Sequence, residues 1–213
     1  MEIHQIGGFL SDSNIYLIID RIVTLIDAGT GRNFELVRDN LSKLGLRPGN
    51  VRLLINTHCH FDHSGGDMDF VRAGSEVAIH ELEAELLRGG DQSITMAQFF
   101  GEAPEPIKSV RELHSGERLN LGEAVLEVIH TPGHTHGSVC LFEPRLGIIF
   151  SGDTVFQGGV GRTDLPTSSS DDLVCSLQRL AKLKLRSLYP GHGPSVMEDA
   201  DRQIALALEL MGG

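Results

Sequence analysis

The chain has 213 residues, 40% hydrophobic and 22% charged, with 18 Lys and Arg against 29 Asp and Glu, a formal charge of −11. That is the balance of a globule able to bury a sizeable core, and a poor one for binding nucleic acid, where phosphate neutralisation needs clustered Lys and Arg. Three scattered cysteines, Cys59, Cys140 and Cys175, exclude a disulfide framework. The N-terminus has no signal pattern and no run nears about 18 apolar residues, so the expectation is a reduced, cytoplasmic protein with no membrane partner.

The first elements read as strands. Ile15–Ile19 and Ile22–Ile26 are β-rich runs separated by Asp20 and Arg21, the spacing of a hairpin. Phe34, Leu36, Val37, Leu41 and Leu44 recur at helical spacing, stopped by Gly45 and Pro48. Val51–Ile55 is a short buried-strand run, and a histidine-rich stretch follows it on the loop. Gly65 and Gly66 open a helix that closes near Gly74. Glu76–Ile79 reads as a strand and Glu81–Leu87 as a helix. The stretch Arg88–Pro106, rich in Gly, Asp, Gln and Pro, has no regular pattern and reads as a partly helical loop over a site. Strands return at Arg118–Leu121, Ala124–Ile129, Ser138–Phe142 and Ile148–Phe150. Asp172–Leu183 has helical spacing, Ser187–Tyr189 is a short strand, and Asp199–Met211 is a last helix. Strands, helices, strands, helices point to two packed sheets with helices outside. No linker, low-complexity run or clear repeat interrupts the chain.

The chemistry concentrates in Thr57-His58-Cys59-His60-Phe61-Asp62-His63. Four ligand-type side chains fall within six residues. On an extended stretch, residues two apart face the same side, so His58 and His60 reach one ion together, while Asp62 and His63 turn toward a neighbouring position. Imidazole and carboxylate suit zinc, and also iron or manganese. Three later segments each place a ligand-type residue among glycines after an apolar strand: His134 in Val128–Thr135, Asp153 in Ile149–Thr154, and His192 in Leu188–Gly193. Glycine allows the tight turns that converging loops need, and strand ends at one rim are where α/β folds build sites.

The pattern Thr-His-Xaa-His-Xaa-Asp-His, then Gly-His134, Gly-Asp153 and Gly-His192, resembles the metallo-β-lactamase superfamily, in the family's order from Leu25-Ile26-Asp27 to Gly193. The resemblance implies an α/β, four-layer αβ/βα sandwich forming one domain over residues 1–213. It also implies roles: His58, His60 and His134 on a first metal, Asp62, His63 and His192 on a second, and Asp153 bridging them. Other histidines stay outside this set. His4, His80 and His114 read as surface or structural residues, His130 as a packing partner, and His136 as more often outside the pocket than lining it. Cys59 should point away from its ligand neighbours as a small buried residue. Asp27 reads equally as a turn residue and as the carboxylate that orients a ligand histidine.

Two divalent ions, zinc first and iron or manganese as alternatives, imply hydrolysis: ions about 3.5–4 Å apart lower the pKa of a shared water toward roughly 7. Asp62 would then position the water or hold the second ion. The stretch Gly152–Pro166 looks like the glyoxalase II branch, hydrolases of glutathione thioesters, especially its short forms. That implies a small-molecule thioester such as S-acyl-glutathione as substrate. Arg162 is the candidate for its anionic part, against a structural pairing with Asp164. Full-length enzymes of that branch carry a C-terminal helical domain, whereas this sequence runs to Gly213 with one helix after His192; another thiol carrier is therefore also expected. The alternatives are a one-iron persulfide dioxygenase, whose Gly-Arg-Thr-Asp stretch resembles Gly161–Asp164, a lactonase, or a non-enzymatic metal-binding protein. A homodimer is left open.

Overall fold

Two apolar cores divide the chain. In the computed structural model, which describes residues 1–212, Met1–Leu113 with Leu121–Ala124 forms one unit, and His114–Asn120 with the chain from Val125 onward forms a second.

The first unit begins with β1 (Glu2–Gln5), β2 (Tyr16–Ile19) and β3 (Thr24–Ile26). The expected hairpin pairs Tyr16 with Ile26 and Ile18 with Thr24, and β1 adds antiparallel at the edge. Then come α1 (Phe34–Lys43), β4 (Leu53–Ile55), α2 (Phe61–Ser64), α3 (Asp67–Ala73), β5 (Glu76–His80), α4 (Glu81–Gly89) and β6 (Val110–Leu113). The sheet order follows the chain, β1-β2-β3-β4-β5-β6, and β3 to β6 pair in parallel. Parallel neighbours need long crossovers, and the helices supply them. Leu25, Leu54, Val77 and Ile79 of the strands, Val37 and Leu41 of α1, and Phe70 of α3 share one buried cluster.

The geometry of parallel strands fixes where the chemistry can gather. Because β3, β4 and β5 run the same way, their C-terminal ends lie on one edge, where α/β sheets bind ligands. Asp27 follows β3, the histidine run follows β4, and the first turn of α4 follows β5.

The second unit holds β7 (Arg118–Asn120), β8 (Val125–His130), β9 (Val139–Glu143), β10 (Ile148–Gly152), the hairpin β11 (Val155–Phe156) and β12 (Gly159–Val160), α5 (Ser170–Leu180), β13 (Ser187–Pro190) and α6 (Ala200–Leu210). The main sheet is ordered β13-β10-β9-β8-β7. It is antiparallel except for the β10–β13 pair. Leu173, Leu177 and Leu180 of α5 and Ile204 and Ala207 of α6 pack with Ile149 and Leu188 of the strands. Here too β8, β10 and β13 run in one direction, so His134, Asp153 and His192 each follow a strand end.

Three details differ from the sequence expectation. The ligand run is not wholly a loop: Asp62 and His63 sit on α2, a helical turn closed by Ser64 N–H to the His60 carbonyl and Gly65 N–H to the Phe61 carbonyl. The helix expected from Gly65 therefore begins at Asp67. The irregular stretch after α4 is partly helical, as expected, with a 3-10 turn at Ala97–Phe100. It is tied to the same unit by Arg32 bonded to Glu102 at 2.9 Å and by the Phe61 and Phe100 rings, 5.4 Å apart. β1 and β6, which sequence patterning did not single out, are four-residue strands with no clean alternation.

Candidate metal centre

In the first unit, four candidate ligand side chains are brought together by their own chain segment. His58 is fully buried, and its Nε2 lies 3.1 Å from His60 Nδ1. The His58 ring centroid is 4.7 Å from that of His60 and 4.1 Å from that of His63. Asp62 Oδ2 lies 3.9 Å from His63 Nε2. Crowding three imidazoles and a carboxylate has no apolar packing logic, and it is the chemistry of a nitrogen and oxygen donor set for divalent ions.

The turn at Asp27 explains how the run is held. Asp27 adopts a left-handed conformation, φ +60°, which costs an ordinary residue about 1–3 kcal/mol but suits aspartate better than most. In that conformation its carboxylate accepts the Thr57 backbone N–H at 2.8 Å, the Thr57 hydroxyl at 2.9 Å and His63 Nδ1–H at 2.9 Å. With the proton on Nδ1, His63 offers Nε2 to a metal, the arrangement that fixes both tautomer and ring angle. Of the two readings of Asp27, the orienting one is therefore the one its contacts match. Close approach seals the same corner: a Cβ on Gly66 would lie 2.3 Å from the Ala28 carbonyl oxygen, so only glycine lets α2 and the Asp27 turn meet.

Beneath the run lies a second buried pair. Asn56 Nδ2–H donates to Asp67 Oδ2 at 2.5 Å, and Asp67 is fully buried. Burial pushes its pKa well above the usual carboxylate range, against the lowering pull of the Asn56 bond. Cys59 is likewise fully buried, and its thiol pKa is driven up by burial and then by the Glu83 carboxylate. It faces away from its neighbours, as alternation predicts, and a thiol held neutral is a poor ligand.

In the second unit, three candidate ligands come from three strand ends and meet at Asp153. Its Oδ2 lies 3.5 Å from His134 Nε2 and 3.7 Å from His192 Nε2. His134 Nδ1 sits 2.8 Å from the Arg162 carbonyl oxygen. A carbonyl only accepts, so the proton is on Nδ1 and Nε2 faces Asp153. The Arg162 side chain does something else: it is exposed and grips Asp164 through two 2.9 Å bonds. Sequence reading singled out that guanidinium, but the backbone carbonyl of the same residue is what orients His134, and no residue pattern signals a carbonyl. Glycine matters here once more. A Cβ on Gly161 would fall 1.9 Å from the Asp153 carbonyl oxygen and 3.0 Å from the His134 ring.

The other histidines have ordinary roles. His130 Nε2 bonds the His136 carbonyl at 2.8 Å, and His80 caps α4 by accepting Leu82 N–H. His4 lies 3.3 Å from Glu2 at the surface, and His114 is exposed. His136 is half-buried. Among the described residues, no helix is long and apolar enough to cross a membrane.

Residues 8–192 match the metallo-beta-lactamase superfamily. The chain belongs to that superfamily. A probable metallo-hydrolase of Methanocaldococcus jannaschii is 36% identical over 194 residues, 89% of this chain and 91% of the relative. An acyl-coenzyme A thioesterase of Gallus gallus is 37% identical, over 79% of this chain and 67% of that protein. A hydroxyacylglutathione hydrolase of Rhodospirillum rubrum is 29% identical, over 90% and 66%. Among solved structures, TTHA1623, crystallised in a di-iron-bound form, is 34% identical with a TM-score of 0.77 over 99% of this chain and 97% of its own. The chain thus has the metallo-β-lactamase fold and belongs among metallo-hydrolases, with a His and Asp set able to serve two metal ions.

Proposed function

We propose that this metallo-hydrolase cleaves thioesters of small thiol carriers, with His58, His60, His134, Asp62, His63, His192 and Asp153 serving one dinuclear centre. The assignment of all seven to one centre rests on the superfamily's motif order along the chain. The observation that carries it is the local geometry of the ligands: His63 and His134 are both fixed by Nδ1 bonds that leave Nε2 for a metal. Bound there, two divalent ions would supply Lewis acidity toward a substrate carbonyl and a water acidified toward a pKa of roughly 7.

This chain's own residues then have separable tasks. Asp27 holds the His63 tautomer, and the Arg162 carbonyl holds that of His134. Asp153, with its carboxylate beside two imidazoles, offsets positive charge at the centre. Asp62 is half-buried and takes the role of positioning the attacking water. Arg162 is exposed, so its guanidinium can leave Asp164 for an anionic carrier group.

The thioester reading is supported by the relatives named as an acyl-coenzyme A thioesterase and a hydroxyacylglutathione hydrolase. Each of those names denotes hydrolysis of an acyl group from a thiol. Zinc is the first choice of metal. The di-iron-bound neighbour makes iron the second. Three free cysteines fit a reducing cytoplasm.

The test is a matrix of metals and substrates. Protein stripped with a chelator and reloaded with zinc, iron or manganese is assayed on S-lactoylglutathione and on short- and long-chain acyl-coenzyme A. Turnover with two ions per chain, lost in Asp153→Ala, supports the reading. Oxygen uptake on a persulfide with one iron per chain, without thioester turnover, overturns it.

A further inference from the structure

One buried acid has no part in the site as drawn so far. Glu83 is the third residue of α4 and is fully buried. Burying a carboxylate is costly unless hydrogen bonds and local dipoles offset the lost water. The first turn of α4 supplies one offset, since the unpaired N–H groups and dipole of a helix start favour negative charge. The other offset lies outside the helix. Glu83 Oε2 accepts the backbone N–H of Cys59 at 2.7 Å, and the Cys59 thiol hydrogen-bonds the same side chain.

That N–H belongs to the peptide linking His58 to Cys59. The peptide that follows His60 is held in the same way: Phe61 N–H donates to the Thr95 carbonyl at 2.7 Å. The peptide on the C-terminal side of each of these two histidines is therefore gripped from behind, by α4 and by the segment that follows it. Alternation sends the His58 and His60 rings forward and the Cys59 side chain back. A run held at its back has its ligands aimed before any ion arrives. Thr95, in the stretch after α4, thereby takes part in this brace.

We propose that Glu83 is a positioning residue for the metal centre: by fixing the His58–Cys59 peptide it aims His58 and His60 at one ion. The inference rests on the metal-centre reading above. It differs from the role of Asp27, which grips a ring nitrogen, because the bond through which Glu83 acts is to a backbone N–H; it sets the backbone from which two ligands hang.

The experiment compares Glu83→Gln, Glu83→Asp and Glu83→Ala with the wild type, all as full-length chains. Metal affinity and stoichiometry are read by zinc competition against a chromophoric chelator. The melting temperature of the metal-free form and hydrogen exchange of the Cys59 amide are read alongside. Gln keeps an acceptor oxygen at the same reach, so E83Q should bind zinc within about threefold of wild type and keep the Cys59 amide protected. Asp keeps the charge but draws the carboxylate back by about 1.5 Å, so E83D should lose amide protection and weaken zinc binding by about 10–100-fold. E83A should match or exceed that loss. A role in packing or charge alone would not rank Gln above Asp.

If E83D and E83A bind zinc as tightly as wild type, the inference fails while the metal-centre reading stands. If E83Q weakens binding as much as E83D, it fails again, because acceptor position then does not matter. Wild-type protein that takes up no metal overturns both readings. Should E83A not fold, the contrast of E83Q with E83D decides alone.

Discussion

The two units arrange their candidate metal ligands by opposite means. The first draws four ligands from one six-residue run and braces that run with buried side chains: Asp27 on Thr57 and His63, Glu83 on the Cys59 N–H, and Asp67 beneath Asn56. The second draws one ligand from each of three strand ends and orients them with backbone: the Arg162 carbonyl on His134, and a glycine at 161 that lets the chain pass against Asp153. Local sequence can concentrate ligands, but then a mobile run must be stiffened from behind. Distant ligands arrive already stiff on strand ends, and what they need is room. Errors in the first half should therefore appear as loosened ligands, and errors in the second as a backbone that no longer fits.

The largest expected effect lies at the ligand itself. Asp153→Ala removes the carboxylate shared by His134 and His192. It should release at least one ion per chain and lower turnover by at least about a hundredfold, measured by elemental analysis and steady-state rate. A variant with full metal content and full rate would remove Asp153 from the centre.

Next comes the spatial test of the second unit. Gly161→Ala adds a methyl where only 1.9 Å separates it from a carbonyl oxygen. Backbone must move, at a cost of about 2–4 kcal/mol. Urea denaturation of the metal-free protein checks this. Unchanged stability with normal metal binding would mean that close approach at residue 161 is not what seats Asp153.

The first unit should respond differently. Asp27→Asn retains an acceptor for Thr57 but no longer a charged partner for His63, and zinc affinity should fall by about 10–100-fold with little change in metal-free stability. Chelator competition and a thermal melt together test that split. A large stability loss with intact affinity would make Asp27 a turn residue only, its left-handed backbone notwithstanding.

The last effect concerns pH. Burial raises the Asp67 pKa well above its usual value, so the folded chain keeps a proton that the unfolded chain releases above about pH 4. Stability should therefore fall as pH rises from there toward the folded pKa, by at most about 1.4 kcal/mol per pH unit from this one group. Below the unfolded pKa the two states bind alike and the effect vanishes. Asp67→Asn cannot titrate yet still offers an oxygen to Asn56. Its metal-free stability profile between pH 5 and 8 should be flatter than that of wild type, and parallel profiles would count against a protonated Asp67.

Much of this was legible in the sequence because the relevant rules are local. The apolar runs from Ile15 to Ile26 and from Val51 to Ile55, the helix periodicity after Phe34, and the glycines flanking His134, Asp153 and His192 each express a short-range preference. The spacing His58-Xaa-His60 works for the same reason, since alternation is a property of the extended backbone. The candidate ligands and the superfamily follow from those residues alone. Where the ligands are anchored did not follow. Asp27, Glu83 and Thr95 lie tens of residues from the atoms they hold, and they reach them because parallel strands β3, β4 and β5 deliver their ends to one edge. The Arg162 carbonyl is a backbone atom, the same in every residue, and becomes an orienting group only when the fold carries it to His134. Sequence by itself determined which side chains are present to bind metal. Tertiary structure alone decided which atoms hold them at the required angle, because hydrogen-bond geometry depends on distances between segments that the order of residues does not encode one pair at a time.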